Sequence, residues 1–414
     1  MDKKLLKYII IFNPFLDIIY SVISKTGVTL PINQVVRILI MAYLFFRFTN
    51  NKDKIFVILI AILFGIGEVT YIYTNGTSVF TDIQYITKIL YFIIVIYAFR
   101  SILSKHILTI DEILNYIILS SCIIVASIIL SVFGIGFHTY FDGRFGYKGF
   151  FTVQNAVTAT LIVTTPLNIF LYEKFKYKKY LVSFILSAIS LCLIGTKAGI
   201  VGGVGSIVVV YLIFLFKMKF TYIKIILGLF SIATIISFSY FKQELFINVY
   251  NVMVEKIYSW GENNVYSYIV SNRNLQVSYV EQYISTYYKQ NPLLFFGIGF
   301  TNCNNILQLH SFDIIEMDFN GILYYSGIWI FIVIFSIITK KILVLLKYFF
   351  ESKLSIQYYT LLLSIIGGTI HSFWGGHVIY EAMTSLYYGI ALIIPAILYQ
   401  DIKIERTACC KPID

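Results

Sequence analysis

Apolar runs of about 20 residues, the length that crosses the hydrocarbon core of a bilayer, recur from one end of this sequence to the other. "LKYIIIFNPFLDIIYSVI", "IDEILNYIILSSCIIVASIIL" and "NGILYYSGIWIFIVIFSII" are three of them. Inside a bilayer the backbone must satisfy its own hydrogen bonds, so each run has to be a helix. Hydrophobic residues make up 58% of the chain and charged ones 13%, with a mean hydropathy of +0.81. That composition leaves too little polar surface for a wet exterior and excludes a soluble domain of this size. The length rule places twelve spans near 5–24, 32–46, 55–74, 83–99, 113–133, 153–171, 181–194, 198–216, 223–240, 319–338, 355–370 and 378–399. The second, seventh and eleventh are short or polar-tipped, which leaves a count of ten or eleven open. The fold class is therefore all-α: a polytopic integral membrane protein forming one membrane domain over residues 1–414.

A net charge of +11 would suggest nucleic acid as the partner of a soluble protein. Here most Lys and Arg sit in short connections between spans, where they report topology. Lys3, Lys4, Arg47, Lys52, Lys54, Arg100, Lys105, the Lys174–Lys179 loop, Lys217, Lys219, Lys340, Lys341 and the C-terminal basic residues fall on one side. Lys25, Lys88, Arg144, Lys148 and Lys197 are the short-loop cations of the other. The positive-inside rule then puts both termini in the cytoplasm. Lys3 and Lys4 precede an apolar run with no small-residue cleavage site, which reads as a retained first span. Cys303 alone is placed in an external loop, so no structural disulfide is expected.

One connection is not short. Residues 241–318 form a large external loop, too long and too aromatic for a linker. Within it, "SNRNLQVSYVEQYISTYYKQNP" opens with a cap at Ser271 or Asn272 and stops at Pro292. Leu275, Tyr279, Val280, Tyr283 and Tyr287 then share one face of an amphipathic helix lying on the membrane or over a cavity. External cations gather at span mouths: Arg144 and Lys148 before the sixth span, Lys197 at the turn between the seventh and eighth, and Arg273 opening the loop helix. Singly each reads as a snorkelling or loop cation. Together they suggest an anionic ligand, since such donors suit phosphate oxygens.

The segment "HSFDIIEMDFNG" supplies the complementary chemistry. As a helix it would place His310, Asp313, Glu316 and Asn320 on one face. Glu316 and His310 are the candidate general bases; Asp318 is a third catalytic candidate, or a cap for the tenth span. His371 and His377 sit at the external turn of "HSFWGGHV", and Glu68 and Glu381 near the outer ends of spans. Asp17 and Arg37, in the first two spans, read as a pair. Gly297 and Gly299 in "FFGIGFTN" lack the strand that a phosphate loop requires. Only "EMD" offers closely spaced carboxylates, and no metal site is assigned.

These features resemble the O-antigen ligase and polysaccharide polymerase superfamily, the Wzy/WaaL-like enzymes, with the likeness best from about Arg144 to His377. "GRFGYKGFFTVQNAV" is similar to the family's Arg, Gly and Asn pattern opening a span, carried here by Arg144, Gly149 and Asn155. "IGTKAGIVGG" puts Thr196 and Lys197 in the place of its Ser-Arg or Ser-Lys turn. Arg273, the helix after it and the Gly-x-Gly segment resemble its large loop, which "EMDFNGILYYSGIWIF" closes as in polymerase members. The His that opens the last external segment of the ligases stands beside an Asn, whereas His310 is followed by Ser311. The first half of the chain shows no matching motif.

The resemblance implies a GT-C-like glycosyltransferase of the bacterial plasma membrane, without cofactor. It would move glycan from undecaprenyl diphosphate to a sugar hydroxyl on a growing polysaccharide chain, as a polymerase in capsular, O-antigen or exopolysaccharide synthesis. Arg144, Lys197 and Arg273 would hold the diphosphate, Lys148, Asn155 and His377 other parts of the substrate, and Glu316 or His310 the acceptor proton. Expected partners are the lipid-linked oligosaccharide, membrane lipid, a chain-length regulator and a flippase, with no nucleic acid. Two alternatives stand: a ligase using another acceptor, and a lipid-linked oligosaccharide flippase or transporter with Asp17 and Arg37 on its pathway. Paired broken helices in two similar halves, the usual mark of transporters, are not evident.

Overall fold

A computed structural model of the chain describes residues 2–27, 32–75, 79–140, 145–217, 267, 270–287, 293–351 and 355–409. The expected ninth span, the large loop up to residue 266, and Arg144 lie outside the described residues. In chain order the helices are α1 (Asp2–Lys25), α2 (Ile32–Phe48), α3 (Asn51–Asn75), α4 (Val79–Ser104) and α5 (Ile110–Val132). A two-stranded hairpin follows, β1 (Phe137–His138) antiparallel to β2 (Tyr147–Gly149). Then come α6 (Gln154–Phe175), α7 (Lys178–Leu193), α8 (Lys197–Lys217), α9 (Arg273–Tyr287), α10 (Leu293–Phe296), α11 (Phe300–Gln308), α12 (Asp318–Glu351), α13 (Ile356–Trp374) and α14 (Ala382–Cys409).

The chain is an all-α polytopic membrane protein. Eight of the described helices are long and apolar enough to cross a membrane: α1, α3, α4, α5, α6, α8, α12 and α14. The other three expected spans among the described residues are helices too: α2 and α7 have only 17 and 16 residues, and α13, with 19, carries polar side chains at both ends. These are the three that the sequence marks as short or polar-tipped. Local chemistry starts the helices where the apolar runs begin. At α5, Thr109 accepts from the Glu112 N–H while Glu112 accepts from the Thr109 N–H, a reciprocal capping box.

The centre of the bundle is α6 with α13, and α14 with α4. Polar side chains buried there pair across the helices, so that α6 and α14 join through Thr160 and Thr384 at 2.8 Å and α13 joins α6 through Ser364 and the Val163 carbonyl at 2.6 Å. Asp17 and Arg37 pair as read, at 2.6 Å between α1 and α2. Contacts between the helix ends gather at one end of the bundle the end of α3 and the start of α4, the α13–α14 turn, the hairpin, the starts of α6, α8 and α12, and the described part of the large loop.

Helix α12 is broken. Gly327 has φ 81° and ψ 175°, a conformation essentially reserved for glycine, between two helical pieces. The carbonyls of Tyr324 and Tyr325, freed by the break, accept from the N–H groups of Ile298 (2.9 Å) and Gly299 (3.1 Å). Tyr71 of α3 adds its hydroxyl to the Tyr325 carbonyl at 3.0 Å and to that of Phe296. A side chain at Gly327 would come within 2.3 Å of the Phe295 carbonyl oxygen, and one at Gly297 within 2.6 Å of the Tyr325 backbone. The Gly-x-Gly of "FFGIGFTN" is thus the place where the loop crosses a broken helix and satisfies its backbone. That is how non-helical backbone persists at membrane depth.

Candidate active site

The acidic segment is not a helix. α11 ends at Gln308, and Phe312 N–H bonds back to the Leu307 carbonyl (3.0 Å) while Ser311 N–H bonds to that of Gln308 (3.2 Å). With Ser311 at φ 62°, this is a Schellman stop. Residues 312–317 are irregular, so the single face expected for His310, Asp313, Glu316 and Asn320 does not form. His310 is exposed and its ring lies flat on Tyr279 of α9, 3.8 Å between centroids at an interplanar angle of 2°.

Glu316 joins Arg273 instead. Arg273 Nε (2.7 Å) and Nη2 (2.6 Å) and Asn155 Nδ2 (3.3 Å) all reach Glu316 Oε2, which leaves Oε1 outside the set. The Glu316 N–H donates to Gln276 Oε1 at 3.0 Å, fixing the segment on α9. Three elements meet here: the start of α9, the start of α6 and the irregular segment before α12. The pair is accessible, with 14% of the Arg273 side chain and 31% of that of Glu316 exposed. Arg273 Nη1 also reaches the carbonyls of Val270 and Trp374, each at 3.4 Å, and Trp374 is 52% exposed. Lys197, opening α8, donates to Ser271 Oγ at 3.3 Å, two residues before Arg273. The loop helix α9 begins at Arg273 as read, but its buried positions are Gln276, Val277 and Val280, so the expected stripe through Leu275, Tyr279 and Tyr283 is only partly covered.

Asp318 has a different surrounding. It is fully buried, and its carboxylate accepts from Ser372 Oγ (2.9 Å) and from the N–H groups of His377 (2.9 Å), Val378 (2.8 Å) and Ile379 (3.0 Å). Rather than capping its own helix, Asp318 fills a backbone anion nest in the α13–α14 turn. Gly376 (φ 66°) and His377 (φ 61°), both left-handed, shape that nest. A Cβ at Gly376 would fall 1.5 Å from the Glu316 carbonyl oxygen, so this turn lies backbone to backbone against the Glu316 segment. The His377 ring faces Glu381, Nδ1 to Oε1 at 3.8 Å, and Lys88 Nζ approaches the same oxygen at 3.8 Å. Burial disfavours the ionised Glu381, but Lys88, His377 and Arg37 override it and hold the carboxyl at about 2.

Lys148 is buried, its Nζ donating to the Thr152 carbonyl at 2.9 Å. Burial and the charge of Lys25 lower its pKa. The structure thus brings together Arg273, Glu316 and Asn155 with Lys197 beside them, and separately Asp318 and His377, while Lys148 and His310 turn to other partners. Sequence reasoning passes over Gln276 and Gly376. Gln276 carries no sequence signal, whereas the doublet Gly375-Gly376 marks a turn needing unusual backbone.

Chemically, the first group offers a guanidinium for an anion, an amide, and a carboxylate able to accept a proton, open at one end of a membrane bundle. No curated protein matches the chain. The family model described as "O-antigen ligase like membrane protein" matches residues 1–245. That segment includes Asn155 and Lys197 and the first-half helices in which no motif is apparent, and ends before Arg273. By this match over more than half its length, the chain belongs to the O-antigen ligase-like membrane proteins, whose membrane work is glycan processing.

Proposed function

We propose that this protein polymerises lipid-linked oligosaccharide repeat units in O-antigen, capsular or exopolysaccharide synthesis. It would transfer glycan from undecaprenyl diphosphate to a sugar hydroxyl at the outer face of the bacterial plasma membrane, with both termini cytoplasmic. The observation that carries this reading is the Arg273–Glu316–Asn155 constellation, a cation for a diphosphate already paired to a candidate base.

On this reading donor binding exchanges the ion pair. A guanidinium edge matches phosphate oxygens as well as it matches carboxylate, so the diphosphate takes Arg273 Nε and Nη2 from Glu316. Asn155 retains the released carboxylate. The acceptor hydroxyl oxygen then attacks C1 and the bond from C1 to the diphosphate oxygen breaks. The leaving diphosphate keeps that electron pair, and Glu316 takes the hydroxyl proton. Charge developing on the leaving group is met by Arg273, Lys197 and Arg144, which asks for no metal. Trp374, exposed beside Arg273, offers a face on which a sugar ring can stack. Asp318 works as a positioning residue, fixing the turn against which Glu316 rests.

Purified protein in lipid nanodiscs, given a synthetic undecaprenyl-diphosphate repeat, tests this. A ladder of multiples of the repeat supports the polymerase. Transfer only to an added foreign acceptor makes it a ligase. Lipid-linked glycan moved across the bilayer without any transfer would make it a flippase and end the proposal.

A further inference from the structure

A second polar centre lies apart from Arg273 and Glu316, among α3, α4, α11, α12 and the α13–α14 turn. A small cavity there is lined by Glu68, Tyr71, Asp82, Tyr85, Tyr325 and Tyr380, among others. Glu68 is 8% exposed, Asp82 1% and Tyr380 6%. One oxygen on each, Glu68 Oε2, Asp82 Oδ2 and Tyr380 Oη, has no hydrogen-bond partner. Buried polar atoms are nearly always satisfied, and leaving one unmet is costly. Three on one cavity point to an occupant.

Charge indicates which kind. Asp82 is partly compensated: its Oδ1 accepts from Thr301 N–H (2.7 Å) and from Thr301 Oγ1 (2.6 Å), at the N-terminus of α11. Glu68 has no such compensation. Among the described residues no ion pair reaches either carboxylate. Lys88, on α4 about one and a half turns beyond Asp82, is turned to Glu381 and to the ring of Tyr85. The connection between the two carboxylates, residues 72–79, contains no Lys or Arg. With Glu68 ionised, about one negative charge is left over, in a space for about one water-sized particle. Water would satisfy the oxygens but not the charge. A small hard cation satisfies both, since oxygen donors suit hard cations.

We propose that this cavity binds one monovalent cation of sodium's size, liganded by Glu68 Oε2, Asp82 Oδ2 and Tyr380 Oη. The site ties α3 and α4 to the turn that holds Asp318, and it does not depend on the transfer chemistry proposed above. Thermal unfolding of the detergent-purified protein tests it, with sodium, potassium, calcium and choline chlorides compared at equal ionic strength. The expected result is a saturable rise of several degrees in the midpoint with sodium and none with choline. In Glu68→Gln the response to sodium disappears. Should that variant fail to fold, broadening of the ²³Na resonance by the wild-type protein, reversed by excess unlabelled competing cation, reads the site directly. Equal midpoints in sodium and choline with no ²³Na broadening overturn the proposal in favour of a buried water. A midpoint that follows pH and ignores sodium makes the occupant a proton on Glu68, and a response to calcium alone makes it divalent. Either result also overturns it.

Discussion

Replacing Asp318 by Asn separates a structural carboxylate from a catalytic one. Four donors converge on Asp318: Ser372 Oγ and the N–H groups of His377, Val378 and Ile379. A hydrogen bond to a charged group contributes about 1.5–3 kcal/mol, against about 0.5–1.5 kcal/mol for a neutral one. In Asp318→Asn three bonds survive in the weaker form, and one N–H meets an amide NH₂ and is orphaned. Relief from burying a charge offsets part of that loss. The net cost is about 2–4 kcal/mol, more than the loss of a simple helix cap. The assay is thermal unfolding in detergent, paired with transfer per folded molecule measured well below the midpoint. We expect a lowered midpoint and transfer that persists in the folded fraction. A variant with the wild-type midpoint and no transfer would refute the nest argument and make Asp318 a catalytic group.

Arg273→Ala should lower the transfer rate by roughly 10²–10³, the usual loss on removing one contact to a developing charge, with Arg273→Lys recovering only part because the forked geometry is gone; rates with synthetic donor measure both. Gly327→Ala forces a side chain into glycine-only backbone, a strain of about 1–3 kcal/mol before the clash with the Phe295 carbonyl is added, so expression of folded protein should collapse in size-exclusion profiles. Glu381, held at about 2, contributes stability that is complete above its ordinary value of 4.5 and is lost as pH falls toward 2. In Lys88→Met that acid-side loss should move to higher pH, which unfolding midpoints across a pH series will show.

The bundle was legible because a bilayer forces it. Each run of about 20 apolar residues must be a helix whatever its neighbours do, and even the short α2, α7 and α13 were visible as weaker runs. The break in α12 was not. A glycine within an apolar run is common in membrane helices, and Gly327 acquires its meaning only from Gly297 and Ile298, which arrive from another part of the chain. The stop after Gln308 was hidden because Ser311 takes the left-handed position usually announced by glycine. The three-residue spacing of His310, Asp313 and Glu316 suggests a continuous helix in its place. Arg273 and Glu316 each stand out in the sequence, but their contact spans 43 residues and no local pattern encodes it. Asp318 stands out for its charge beside an apolar run. Its partners on the α13–α14 turn lie more than 50 residues away, so only the Gly375-Gly376 doublet hinted at a backbone built to receive it.

Single-turnover transfer by purified Glu316→Gln and His310→Gln tests the central claim, that the carboxylate beside Arg273 takes the acceptor proton. Glutamine keeps the shape and hydrogen bonding of Glu316 but cannot accept that proton, so Glu316→Gln should bind the lipid-linked donor and fail to transfer it. His310, stacked on Tyr279 away from that group, should be replaceable with a modest effect. Wild-type transfer by Glu316→Gln together with a dead His310→Gln would contradict the account and give the base to the histidine.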